Sequence, residues 1–281
     1  MALGLAGWAT PEAPAAALRS PLPSAPDAAD VPGLRGFRAA EAGATQRTPQ
    51  LTSVPQRKAV HAGRQPERKP HWTHAVRTVR DFEQQCPGLP RLPSRSVLLT
   101  VDDGPDPTWT PRYLRLFAAY GLTATFCMIG RQVVRYPHLV RAVHRAGHDI
   151  ANHTFDHVET LPHAKPAVIR SQILRTQRAV ERATGGAVVP RVYRAPGGAW
   201  GPAVYRELHR ENLVPLAWDV DPSDWARPGT AHIVADMLTA RAGDIILCHD
   251  GGGDRSETYA ALKTVIPALR HRGLRFATLP I

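Results

Sequence analysis

Two adjacent carboxylates, Asp102-Asp103, stand just after the apolar run Val97-Leu98-Leu99 and just before Gly104-Pro105. Neighbouring carboxylates repel each other unless a cation relieves them. One can then ligate the cation while the other stays free as a base. The plainer alternative is an Asp-Gly turn whose Asp caps a helix. In His153-Thr154-Phe155-Asp156-His157 the two imidazoles are four residues apart. One turn of helix would place both on the same side, which suits a divalent metal held by neutral imidazoles. Thirteen His in the chain also make this spacing easy to reach by accident. Asp102 and Asp103 are the nearest candidates for a third, carboxylate ligand. His249 ends the run Ile245-Ile246-Leu247-Cys248. Strand alternation puts Leu247 and His249 on one face and Cys248 on the other. Asp224 is available to orient His249 and raise its pKa, as a general acid requires. A thiol role for Cys248 lacks a partner base on its own face.

These residues need elements to bring them together. From Ser96 onward short apolar runs alternate with helical stretches. Strands are expected at 96–100, 123–128, 148–151, 188–193, 213–217, 244–248 and 274–278, with helices at 111–120, 137–146, 166–183, 202–211, 230–242 and 256–272. Pro at helix starts and Gly after helix ends mark the boundaries. The alternation predicts an α/β fold, a distorted (β/α) barrel of about seven parallel strands. An open doubly wound sheet is the alternative, without support from any Gly-rich phosphate loop after the first strand. In a parallel barrel the strand C-termini share one mouth. Asp102-Asp103, His153 and His157, Arg194, Asp221 with Asp224-Trp225, and His249-Asp250 all follow strands and so converge there.

The 281 residues are 43% hydrophobic and 21% charged, globular values with length for a real core. No apolar stretch approaches the roughly 20 residues that span a bilayer. Three Cys, none in a C-x-x-C pair, exclude a disulfide scaffold. The net charge is +11, and about half of the excess falls before Arg80, the rest of the chain being only mildly basic. Residues 1–73, rich in Pro, Ala, Arg and Ser, read as a disordered segment. Its basic charge is a solvated tail or a contact for an anionic cell wall. Nucleic acid is not expected, because no basic run alternates with aromatics. Met1–Ala9 is apolar but too short, and lacks the leading basic residues, for an intact signal peptide. Residues 74–95 are expected to form a short helix over 73–85 and a Pro-rich linker, and 96–281 the catalytic domain. Gly251-Gly252-Gly253 reads as a mobile loop at the mouth, and Trp200 as a candidate sugar platform.

The five segments Thr100-Val101-Asp102-Asp103-Gly104-Pro105, His153-Thr154-Phe155-Asp156-His157, Arg194-Ala195-Pro196-Gly197-Gly198, Asp221-Pro222-Ser223-Asp224-Trp225 and Leu247-Cys248-His249-Asp250 resemble, in order and spacing, the motifs of the polysaccharide deacetylase (NodB-homology) family. The resemblance implies a metal-dependent hydrolase that removes N-acetyl groups from peptidoglycan or chitin oligomers. Asp103, His153 and His157 would hold the metal, zinc or else cobalt, nickel or manganese, and a metal-bound water would be the nucleophile. Asp102 would be the base, paired with Arg194. His249 would be the acid, oriented by Asp224. Gly197 would offer a backbone N–H, and Leu247 and Trp225 would line the acetyl pocket. The implied partner is an acetylated amino-sugar polysaccharide, and the implied location is secreted or envelope-attached, with a cytoplasmic enzyme as the alternative. Two other functions fit the same residues, an O-acetyl esterase on acetylxylan and a non-catalytic wall-binding barrel. Val101 and Gly197 depart from the family pattern, which often has aromatic residues there. The second departure bears on substrate preference.

Overall fold

Short strands, each an apolar run closed by a polar residue or a turn, build one parallel sheet of seven. The computed structural model describes Trp72 and residues 74–281, so the remainder of the segment 1–73 lies outside the described residues. The strands are β1 Ser96–Asp102, β2 Thr125–Met128, β3 Asp149–Asn152, β4 Val192–Tyr193, β5 Val214–Pro215, β6 Ile245–His249 and β7 Arg275–Ala277. Their order is β5-β4-β3-β2-β1-β6, and β7 pairs with Ser96–Leu98 at the start of β1. β2 to β5 therefore succeed one another on one side of β1 while β6 takes the other. That is barrel winding, not the reversal of a doubly wound sheet. Between β5 and β6 an isolated bridge at Val220 spans the gap: Asp219 and Val220 N–H donate to Ile245 O, and Leu247 N–H donates to Val220 O. The barrel is thus a curled, incompletely closed one.

Alternation along β1 sorts its side chains. Val97, Leu99 and Val101 join an outer cluster with Phe126, Met128, Tyr113 and Phe117. Leu98 joins a second cluster with Cys127, Ala151, Tyr193 and Ile245. Thr100 and Asp102 share the inward face with Leu98, so a buried apolar strand points two polar groups into the barrel. Around the sheet lie α1 Val79–Gln85, α2 Thr110–Ala119, α3 Gly130–Arg135, α4 Pro137–Arg145, α5 Pro166–Thr184, α6 Pro202–Arg210, α7 Thr230–Met237 and α8 Ser256–His271. Pro opens α4, α5 and α6, where its missing N–H costs nothing. None of the expected helices covers α3. It has six residues, too few to display an apolar period. Among the described residues no helix is long and apolar enough to cross a membrane.

The helix expected from residue 73 begins only at Val79. Thr78 caps it: its hydroxyl accepts from Asp81 N–H at 3.1 Å, and the Asp81 carboxylate accepts from Thr78 N–H at 3.2 Å. The residues before it are extended and fill the open side of the barrel. Val76 N–H donates to Pro215 O at 2.8 Å, and Ala217 N–H donates to Val76 O at 2.7 Å. Trp72, Val76 and Phe82 are buried in the second cluster. Val76 and Phe82, expected on one side of a single short helix, are therefore both core, Val76 from extended chain and Phe82 from α1. Phe82→Ala is expected to cost about 3–5 kcal/mol, read from urea unfolding. An unchanged midpoint would show that this segment does not belong to the folding unit.

Candidate active site

Arg194 is fully buried inside the barrel, and every nitrogen of its guanidinium is used. Nη1 donates to Asp102 Oδ1 and Oδ2 at 3.2 and 3.1 Å, and Nη2 to Thr100 Oγ1 at 3.1 Å and Ala217 O at 3.2 Å. Nε donates to Leu216 O at 2.8 Å. A planar fork held at five acceptors has one orientation. Asp102, itself only 2% exposed, is thereby fixed in place. Its Oδ2 lies 3.8 Å from His153 Nε2.

His153 and His157 do meet, though not on a helix. β3 ends at Asn152, and the loop after it turns through left-handed residues, Thr154 at φ 61° and His157 at φ 58°. Side chains hold that strained path. Asn152 Oδ1 accepts from Thr154 N–H, Thr154 Oγ1 from His157 N–H, and Gln172 Oε1 from both Phe155 and Asp156 N–H. The loop brings the imidazoles to 5.0 Å between ring centroids. Asp103, also left-handed at φ 75°, closes the group. Its Oδ1 lies 3.4 Å from His153 Nε2 and 3.2 Å from His157 Nε2. One donor atom from each of the three lies within 4.8 Å of the others.

This group fits a metal. His153 Nδ1 is 2.9 Å from Arg194 O, and a carbonyl only accepts, so in the neutral ring Nδ1 carries the proton and Nε2 the lone pair. Burial pushes the His157 imidazole below its usual range, the Asp103 charge only partly opposing this. Asp103 Oδ1 is buried without a hydrogen-bond donor. Burial raises the Asp103 carboxyl, but the close approach of the His153 ring and the charges of the surrounding histidines outweigh this and hold it well below the carboxylate range. Two nitrogen lone pairs and one carboxylate oxygen thus face a common point, an arrangement that a divalent cation satisfies.

His249 faces the same mouth from the neighbouring strand, where it is the register partner of Asp102. Its Nδ1 is 2.6 Å from Asp224 Oδ1, and its backbone N–H donates to Asp224 Oδ2 at 2.9 Å. Burial alone would lower its pKa, but the Asp224 hydrogen bond and charge, with those of Asp102 and Asp103, raise it to about 9. The sequence reading missed the supports of Asp224. Thr258 Oγ1 donates to its Oδ2 at 2.9 Å, and Arg255 Nη1 to its carbonyl at 3.3 Å. Both residues lie at the start of α8, 31 and 34 positions away. Thr100, the Oγ1 partner of Arg194, did show a signal: it is a hydroxyl on the inward face of an apolar strand.

The rim explains the glycines. Gly197 is left-handed at φ 57°, and a Cβ there would meet the Glu159 side chain at 3.0 Å. Glu159 lies where a side chain at 197 would project. The 251–253 loop is anchored at its first residue. A Cβ on Gly251 would sit 2.3 Å from Asp103 O, and Arg255 Nε donates to Gly251 O at 2.7 Å. Asp250 is buried beneath this loop and accepts from the Thr110 hydroxyl. Burial first, and then nearby acids, raise its carboxyl to about 7 despite that hydrogen bond. Leu247 is buried on the inward face, and Trp225 is 59% exposed at the rim. Asp221 accepts from Trp218 Nε1 at 3.1 Å and does not join the acid–base pairs. Trp200 stacks on Tyr205 at 5.7 Å between centroids, so that face of the ring is covered by protein. Cys248 lies in the outer cluster with its thiol donating to Thr100 O, away from the mouth.

A parallel half-barrel with an Asp-His-His triad that can hold a cation, set between a carboxylate–guanidinium pair and a carboxylate–imidazole pair, fits a hydrolase site. The polysaccharide deacetylase family profile matches residues 90–214. The chain is 40% identical over 184 residues to a peptidoglycan-N-acetylglucosamine deacetylase of Bacillus cereus, covering 65% of this chain and 85% of that one. It is 41% identical over 199 residues to a chitooligosaccharide deacetylase of Bradyrhizobium, covering 66% and 90%. Among solved structures, a family 4 carbohydrate esterase from Streptomyces lividans in complex with acetate superposes with a TM-score of 0.61 at 33% identity, over 65% of this chain and 92% of that one. The chain belongs to the polysaccharide deacetylase family. It is a hydrolase of the non-peptide carbon–nitrogen bond in N-acetyl groups.

Proposed function

We propose that this deacetylase removes N-acetyl groups from an N-acetylglucosamine-containing polysaccharide, with Asp103, His153 and His157 holding a zinc ion. The carrying observation is that these three donors converge beside Asp102, whose Oδ2 lies 3.8 Å from His153 Nε2, while Asp102 itself is held by Arg194. When bound, the metal supplies a Lewis acid for the acetyl carbonyl and the attacking water. Asp102 takes a proton from that water as its oxygen bonds to the carbonyl carbon. Arg194 positions the base throughout. The Gly197 N–H donates to the developing oxyanion. With Nδ1 engaged by Asp224, His249 presents a proton on Nε2 to the leaving nitrogen. The carbon–nitrogen bond breaks, and acetate and a free amine depart. Leu247 contacts the acetyl methyl, and Trp225 offers a flat apolar face to the sugar at the rim. Such polymers lie outside the cell, where a secreted or envelope-attached enzyme would meet them.

The test is acetate release from acetylated chitooligomers, peptidoglycan and acetylxylan, before and after metal stripping. Stripping should abolish release from the amino sugars, and one equivalent of zinc should restore it. Release that survives complete stripping would overturn the metal role. Release from acetylxylan alone would make the enzyme an O-acetyl esterase.

A further inference from the structure

Charge is unevenly spread over the described residues. Residues 72–128 and 185–281 each carry one more basic than acidic residue, whereas residues 129–184 carry nine Lys and Arg against four Asp and Glu. That stretch forms α3, α4 and α5. Arg131 and Arg135 lie four apart on α3, Arg141 and Arg145 on α4, and Arg178 and Arg182 on α5. All six are exposed. None makes an ion pair within 4.0 Å among the described residues. Like charges four apart on a helix repel. Three such pairs lie on adjoining helices, and among the described residues none of the six is within ion-pair distance of an acid, which suits a surface that meets an outside anion.

The helices form one face. α5 packs against both α3 and α4. Arg141 Nη1 donates to Ala183 O at 3.1 Å, tying α4 to the end of α5. A Cβ on Gly130 would fall 2.5 Å from Phe155 and 2.6 Å from Thr176 Oγ1, so the start of α3 lies flush on α5 and on the His153–His157 loop. Arg175 stacks over the Phe155 ring at 3.6 Å and donates to Asp156 at 3.3 Å. The basic face therefore begins at the rim of the active site and runs down the outside of the barrel.

We propose that the α3–α4–α5 face docks a carboxylate-bearing glycan and holds it beside the catalytic mouth. The inference rests on the deacetylase reading, because continuity with the mouth makes the occupant an extension of the substrate. An amino-sugar chain with peptide stems carries carboxylates, whereas a chitin-type chain is neutral and gains nothing from this face. The cations are all guanidiniums, whose fork matches carboxylates in pairs. Being exposed, they act together and are screened by salt.

The test is retention of the full chain on insoluble peptidoglycan, on the same material with its carboxyl groups amidated, and on chitin. Retention on peptidoglycan should fall between about 50 and 500 mM salt. It should also fall on amidation. A variant carrying Arg135→Gln, Arg145→Gln, Arg178→Gln and Arg182→Gln should be held about tenfold or more weakly on peptidoglycan. Its thermal midpoint should be at or above the parent's, and its acetate release from neutral chitooligomers should match the parent. Retention indifferent to amidation, or to the four substitutions, would overturn the proposal. Absence of acetate from every substrate would sink the deacetylase reading, while retention would still decide the docking face.

Discussion

Asp102→Asn is expected to lower kcat for acetate release at least about a hundredfold, the low end of what a general base contributes. The substitution keeps the size and shape of the side chain but removes its ability to take a proton. It also removes a countercharge. Arg194 Nη1 sits at 3.1 Å from Asp102 Oδ2 in a fully buried position, and Asn would turn either one accepting oxygen into a donor or leave the guanidinium without its anion. Breaking a buried pair from one side costs about 3–5 kcal/mol. The variant should therefore also melt earlier. What separates the base from a merely structural acid is the metal: Asp103, His153 and His157 are untouched, so zinc stoichiometry should stay at the parent value while turnover collapses. Equal acetate release by parent and variant would remove Asp102 from the mechanism.

His249 should set the alkaline limit of activity. It donates a proton only while charged, and its pKa lies at about 9. Turnover should hold below that value and decline as pH rises through it. A cation held by Asp103 offsets part of the carboxylate field, so in the loaded enzyme the limb lies at or below about 9. His249→Ala should lower kcat about a hundredfold or more and flatten the limb. Asp224→Asn removes the negative charge beside Nδ1, so burial acts on the imidazole less opposed and the limb should move to lower pH. The same shift enters stability. A His whose folded pKa exceeds its unfolded value of about 6.5 stabilises the fold fully below that value, and the contribution is lost as pH rises through about 9. A pH profile unchanged in Asp224→Asn would show that His249 is not the titrating acid.

The order of elements and the five polar strand ends were legible because they depend on local patterns. Alternation placed Leu247 and His249 together and Cys248 opposite, and the structure puts the Cys248 thiol on Thr100 O in the outer cluster. Where local pattern and tertiary context compete, the reading fell short. The four-residue spacing of His153 and His157 suggested a helical turn, yet Gln172, on α5, captures two N–H groups of the loop and holds it non-helical. Residues 74–78 are expected to open a helix, because Val76, Val79 and Phe82 fall at helical spacing, yet they run extended. Their partners, Pro215 and Ala217, lie some 140 positions along the chain. Glu159, Arg255 and Thr258 carried no signal, because nothing at their own positions reports the group each one touches.

Charge shows the same division. Counted along the chain, the part beyond the tail is mildly basic, and only folding gathers three pairs of arginines onto adjoining helices. Composition, period and motif thus determined which chemical groups the protein owns and which strand end presents each one, because backbone geometry links neighbours within a few residues. The tertiary structure alone decided which groups touch: that Arg194 turns Nη1 to the Asp102 carboxylate while Thr100, Leu216 and Ala217 hold its other nitrogens, and that Asp103 Oδ1 is left buried without a donor between two imidazoles. Those contacts are set by long-range packing and by the balance of burial against charge, quantities that exist only once the chain has closed on itself.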